Sequence, residues 1–226
     1  MIKHIPNLLT LCNLLLGVIG IVMALDGNPI WGSYCIWLAA VFDFLDGFAA
    51  RMLHVTSPIG KELDSLADMV TFGVLPSMII FKMTGYGLDN PIAYISFSLA
   101  LFSALRLAKF NTDPRQSDQF IGLPTPASAF FISSLPFIVM DNPWNMGALL
   151  TPPVLLIIAL ALSIMLVAEL PLFSLKFKDF KWKNNIIRYI FAAISLVLIL
   201  TLKIAAIPIS VVLYVFMSVI NLKTSK

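Results

Sequence analysis

Four aspartates, Asp43, Asp46, Asp64 and Asp68, fall within residues 41–69, VFDFLDGFAARMLHVTSPIGKELDSLADM, inside apolar segments long enough to cross a bilayer. A carboxylate at membrane depth is costly unless paired, so it marks a functional site by default. Asp43 and Asp46 are three apart, and Asp64 and Asp68 four apart, so each pair shares one helix face. Gly47, Ala50 and Arg51 continue the first stripe, and Gly60 stands one turn before Asp64. The short linker makes the two helices antiparallel neighbours whose polar stripes face one cavity. Carboxylates gathered this closely cannot all ionise without a compensating charge, and Arg51 alone is not enough. A divalent metal is the natural partner. All-oxygen ligation favours Mg²⁺ or Mn²⁺, with Ca²⁺ a further fit. Mg²⁺ is commonly held by a few carboxylates plus substrate phosphates, which points to a diphosphate ligand. Gly47 and Ala50 leave room for an extended ligand against the helix. Small residues also serve close helix packing, but here they lie between metal-ligand candidates. Intramembrane acids line ion pathways too, so a carboxylate-lined cation transporter is the alternative of a different class. Such transporters repeat their broken helices in two halves. The C-terminal half carries no second acidic pattern, and Glu169 is its only apolar-flanked acid.

The elements that position these residues are membrane helices. Of 226 residues, 59% are hydrophobic and 12% charged, whereas a soluble domain carries about 25% charged residues. The chain reads as an all-α integral membrane protein, a single transmembrane domain over residues 1–226. At about 20 apolar residues per crossing, eight spanning helices are predicted: 5–25, 31–53, 58–82, 91–110, 125–140, 150–169, 186–203 and 206–222. The fifth is short and proline-bounded, and only a tight turn before Pro208 parts the last two, so six or seven crossings are the alternatives. Connections 26–30, 83–90 and 141–149 carry the Gly, Asn, Asp and Pro of turns. The first apolar run lacks a small-residue cleavage pattern and reads as a retained helix, not a signal peptide. Cys12 and Cys35 read as buried structural thiols, and no Cys/His cluster suggests zinc.

Cations set the orientation. With the N-terminus cytoplasmic, one side receives Lys3, Arg51, Lys61, Arg106, Lys109, Arg115, Lys176, Lys178, Lys181, Lys183, Arg188, Lys223 and Lys226, and the other only Lys82 and Lys203. Both termini and the acidic region are therefore expected at the cytoplasmic face of the cell membrane. Residues 173–188, FSLKFKDFKWKNNIIR, interleave cations with Phe and Trp. They read either as an amphipathic helix on the anionic inner leaflet or as an ordinary basic loop. Topology accounts for the basic residues, so nucleic-acid binding is not supported.

The pattern Asp43-x-x-Asp46-Gly47-x-x-Ala50-Arg51, eight residues, then Gly60-x-x-x-Asp64-x-x-x-Asp68 resembles the complete signature of the CDP-alcohol phosphotransferase family. It covers helices two and three directly, and the hydrophobic layout extends the likeness over most of the chain. The resemblance implies the six-helix family core, here with two helices more, around a cytoplasmic-facing polar cavity. It implies an enzyme that moves a phosphatidyl group from a CDP-linked lipid to an alcohol and releases CMP. On the family pattern Asp43, Asp46 and Asp64 ligate two divalent ions, Mg²⁺ or Mn²⁺. Asp68 lies near the acceptor hydroxyl as general base while touching one metal. Gly47, Ala50, Gly60 and Arg51 line the nucleotide site, with Arg51 near the diphosphate. Pro6-Asn7-x-x-Thr10 resembles the family's first-helix start, where Asn7 and Thr10 face the cytidine; ordinary interfacial polarity is the bland reading of both. Such family members are commonly homodimers, so a homodimer is expected. Two metals can clamp a diphosphate and stabilise its entering and leaving oxygens. A hydroxyl is a poor nucleophile at neutral pH, so a positioned carboxylate takes its proton during attack.

Arg106-Leu-Ala-Lys109-Phe-Asn111 and Phe120-Ile-Gly122-Leu-Pro124-Thr125-Pro126-Ala127 resemble the phosphatidylserine synthase branch of that family. Lys109 stands where Arg is more usual, which keeps the charge and loses bidentate geometry. On this resemblance the donor is CDP-diacylglycerol, the acceptor is L-serine, and Arg106, Lys109 and Asn111 bind the serine carboxylate or the diphosphate. Positive-inside anchoring is the plainer account of the two cations. The Gly122–Pro126 loop either shapes the pocket or breaks a helix, its prolines fixing the backbone in both cases. Glycerol 3-phosphate and inositol phosphate are the alternative acceptors and should demand more cations around the cavity. An archaeal ether-lipid donor suits the motif equally.

Overall fold

The computed structural model describes residues 4–55, 57–113, 120–173 and 182–224. Eight helices follow in the expected order: α1 (Ile5–Leu25), α2 (Pro29–Met52), α3 (Pro58–Met83), α4 (Pro91–Thr112), α5 (Thr125–Asp141), α6 (Pro152–Val167), α7 (Trp182–Leu202) and α8 (Ala206–Thr224). Prolines in the first turn open most of them, where a missing N–H costs nothing. The Ser57 hydroxyl caps α3 by accepting from the Gly60 amide at 3.0 Å.

Among the described residues, five stretches are long and apolar enough to cross a membrane: α1, α2, α3, α4 and the run Asn185–Ile220. Helices α5 and α6 are shorter and apolar. The run Asn185–Ile220 is not one rod. Lys203 turns at φ 52°, and the Phe191 and Tyr214 rings, on either side of that turn, lie 5.8 Å apart. Helices α7 and α8 therefore form a hairpin.

Helix α5 runs through the centre, with Ile132 to Ile138 buried without a break. Phe72, Leu75, Ile79 and Ile80 of α3, Leu99 of α4 and Leu155 of α6 pack around it. The Trp37 indole N–H donates to the Ser133 hydroxyl at 2.8 Å, and the Ser98 and Ser163 hydroxyls meet at 2.9 Å. Such bonds join helices in an apolar medium.

Two features depart from plain helices. Met69–Val74, directly after Asp68, is a widened π-helical turn inside α3. Pro76 has no N–H to give the Phe72 carbonyl, so the regular ladder cannot run through this turn. The second departure corrects the sixth expected helix, 150–169. Helix α6 stops at Val167, and the next residues form a two-residue strand, β2 (Pro171–Leu172), antiparallel to β1 (Phe120–Ile121). Ala168 is already extended, at ψ 138°, and Pro171 keeps the helix from resuming by disfavouring it at Leu170. Of the basic segment 173–188, residues 174–181 lie outside the described residues, as do Lys3, Arg115 and Lys226.

Candidate active site

Helix α2 brings Asp43 and Asp46 to the bundle interior, and the antiparallel first half of α3 brings Asp64 and Asp68. Carboxylate oxygens of Asp43, Asp64 and Asp68 all lie within 4.8 Å of one another. Asp43 and Asp68 are hydrogen-bonded through their side chains. Asp46 is buried and turned aside, its Oδ2 accepting from the Thr10 hydroxyl at 2.6 Å and its carboxylate from the Gly47 amide. It still lies close enough to act on the other three by charge. The cation that faces the cluster is Arg106 of α4, which attracts Asp68. Several acids against one buried guanidinium leave negative charge to balance. Hard anionic oxygens converging from two helices fit divalent cations of the Mg²⁺ or Mn²⁺ kind.

Asn13 was not singled out by its sequence. It is fully buried in α1, and its Nδ2 approaches Asp68 Oδ1 at 3.5 Å. Its Oδ1 is buried without a hydrogen-bond partner among the described residues. The Thr71 hydroxyl, in the widened turn, donates to the Asn13 carbonyl at 3.2 Å. Helix α1 is thereby fastened to α3 one turn beyond Asp68.

A cavity of about 560 Å³ opens beside the carboxylates, within the range of small-molecule sites. Its lining includes Asn7, Thr10, Gly47, Ala50 and Gly60, with Asp46 and Asp64. Only the far end of Arg51, at 3.9 Å, lies within 4 Å of a Cβ built on Gly47. Gly47 therefore does not serve helix packing; it opens a face to the cavity. Gly60 differs, since a Cβ there would press on Ser57 Oγ at 3.0 Å and Asn7 Oδ1 at 3.1 Å. Arg51 is exposed, its guanidinium lying over Gly47 at the cavity's rim.

Helix α4 packs closely on α3. A Cβ on Gly73 would stand 2.9 Å from Ser103 Cβ. Further along, the Asn111 amide donates to the Ser65 hydroxyl at 2.8 Å, and Lys61 Nζ to the Asn111 carbonyl at 3.2 Å. The amide of Asn111 thus braces α4 against α3. Between those contacts Arg106 is buried, donates to the Thr125 hydroxyl at 3.3 Å and lies over the Phe110 ring at 5.4 Å. Lys109 is exposed one turn on. Gly122, at φ 80°, lies where an added Cβ would collide with the Leu166 carbonyl.

Residues 3–168 match the family model described as CDP-alcohol phosphatidyltransferase. A protein of Helicobacter pylori named CDP-diacylglycerol–serine O-phosphatidyltransferase is 31% identical over 218 residues, covering 96% of this chain and 90% of its own. A protein of the same name from Bacillus subtilis is 36% identical over 135 residues, 60% of this chain and 76% of its own. Another so named, from Methanocaldococcus jannaschii, is 30% identical over 190 residues, 83% of this chain and 79% of its own.

Proposed function

The chain belongs to the CDP-alcohol phosphatidyltransferase family, and from that premise we propose that it transfers the phosphatidyl group of CDP-diacylglycerol to the hydroxyl of L-serine, giving phosphatidylserine and CMP. The observation that carries this reading is the meeting of Asp43, Asp64 and Asp68 within 4.8 Å at the edge of a nucleotide-sized cavity. The names of the relatives supply the acceptor.

The cytidine end of the donor occupies the cavity lined by Asn7, Thr10, Gly47, Ala50 and Gly60, with Arg51 at the rim toward the diphosphate. Asp43, Asp64 and Asp68, with Asp46 beside them, would hold Mg²⁺ or Mn²⁺, which when bound would neutralise the diphosphate and make its phosphorus more electrophilic. Thr10 fixes Asp46, and Asn13 with Arg106 fixes Asp68. Asp68 takes the serine hydroxyl proton as the oxygen attacks the phosphorus bearing diacylglycerol. The new P–O bond forms, the bond to the CMP oxygen breaks, and CMP leaves with the electron pair. Arg106, with Lys109 beside it and Asn111 holding α4 in place, receives the acceptor.

The whole chain acts as one transmembrane domain of eight helices, with the cavity and both termini at the cytoplasmic face and two copies forming a homodimer. The test is CMP release by the purified protein with CDP-diacylglycerol and Mn²⁺ or Mg²⁺. Release should require L-serine, stop with EDTA and return on adding either metal. Release with glycerol 3-phosphate and none with serine would sink the serine assignment.

A further inference from the structure

Resting on the serine reading above, we propose that a second, smaller cavity seats the acceptor as a zwitterion, with Arg106 holding its carboxylate and Glu169 its ammonium group. This cavity measures about 140 Å³, a quarter of the nucleotide cavity, and suits a small polar molecule. Its lining includes the cations Arg106 and Lys109, the acids Asp113 and Glu169, and apolar Ile121 and Val167. Arg106 is only 7% exposed, and its Nε is buried without a hydrogen-bond partner among the described residues. A buried donor left unmatched is costly, and a carboxylate would satisfy it. Both charge signs line one small space. An α-amino acid presents both signs. A phosphate-bearing alcohol presents only negative charge and meets Glu169 as a repulsion, which is how an interface excludes the wrong ligand.

The segment 120–123 acquires a task here. The Gly122 amide donates to the Leu170 carbonyl and the Leu123 amide to the Met165 carbonyl, each at 2.9 Å. With the β1–β2 pair, these bonds strap residues 120–123 to the end of α6. The strap brings the backbone at Glu169, exposed just past that end, to the same cavity as the cations of α4. Arg106 is also close enough to Asp68 to act on it by charge, so this cavity shares a residue with the surroundings of the proposed base.

The experiment uses the full-length protein with CDP-diacylglycerol and metal, reading CMP release against L-serine concentration. Glu169→Gln should raise the serine KM about tenfold, the size of one lost charge-assisted hydrogen bond. The KM for CDP-diacylglycerol and the thermal midpoint should not move. Glu169→Asp should recover part of the serine affinity. The wild type should also favour serine over 3-hydroxypropionate, which lacks the ammonium group, and Glu169→Gln should lose about tenfold of that preference. A serine KM unchanged in Glu169→Gln overturns the pocket while serine-dependent release stands. Absence of serine-dependent release in the wild type overturns the acceptor reading, and this proposal with it.

Discussion

Asp46 and Asp68 bring the same side chain to the same cluster and meet different company. Asp46 is held by the Thr10 hydroxyl at 2.6 Å. Asp68 meets Asn13, Asp43 and Arg106. Two like groups in unlike surroundings are how one site divides its roles. Asp68→Asn removes the proposed base and keeps its shape. Turnover should fall by about 10²–10⁴-fold, the usual contribution of general base catalysis. Equilibrium binding of CDP-diacylglycerol should be largely spared, and retained turnover would remove Asp68 from the base role. Gly47 tests the nucleotide cavity separately. No neighbouring helix crowds its Cβ position, so Gly47→Leu should leave the thermal midpoint in place and raise the donor KM at least about tenfold. An unchanged donor KM would place the nucleotide elsewhere. Helical spacing made the four aspartates and Gly47 legible in the sequence. Asn13 was not legible, because a lone polar residue in an apolar helix resembles any buried amide. Only the packing of α1 on α3 brings it to Asp68.

At the scale of elements, apolar runs bounded by Pro, Gly and Asn were sufficient to place the helices, of which five stretches among the described residues have membrane-spanning length. Turn chemistry and apolar length act locally, so the sequence carries them openly. The widened turn and the strand pair depend on distant partners. The form of the widened turn follows from Thr71 reaching Asn13 and Gly73 meeting Ser103. The β1–β2 pair joins residues some fifty positions apart, beyond any local pattern. The widened turn sets the rotation of Asp64 and Asp68 relative to the packed second half of α3. Pro76→Ala restores the missing N–H and favours a regular α-helix, where Pro is about 3 kcal/mol less favourable than Ala. Circular dichroism should then report equal or greater helicity and no loss of thermal stability. Turnover should still fall at least about tenfold, because misplaced reacting groups cost rate steeply. Full activity in that variant would show that the turn does not set the aspartates.

At the scale of the whole molecule, the charges divide between the two ends of the bundle. Arg51, Lys61, Arg106 and Lys109 gather at the end that carries the carboxylates. Asp26 and Asp89 in connections and Asp141 at the last position of α5 lie at the other end, with Lys82 and Lys203. Helix α3 joins the two ends. Its 26 residues, at about 1.5 Å each, measure some 39 Å, more than the roughly 30 Å hydrocarbon core. Ile59 stands in its first turn, 75% exposed, and Leu88 just beyond its end, 74% exposed. A single cysteine at either place, with Cys12 and Cys35 replaced, should react with an impermeant maleimide from one side only. Ile59→Cys should be labelled in inside-out vesicles and protected in intact cells, and Leu88→Cys the reverse. Labelling of both from one side would remove α3 as a crossing, and with it the even helix count. Opposite sides in the inverted sense would put the carboxylates outside. CDP-linked donors and metal would then have to reach the cavity from beyond the membrane, so the labelling pattern tests the proposed chemistry as well as the topology.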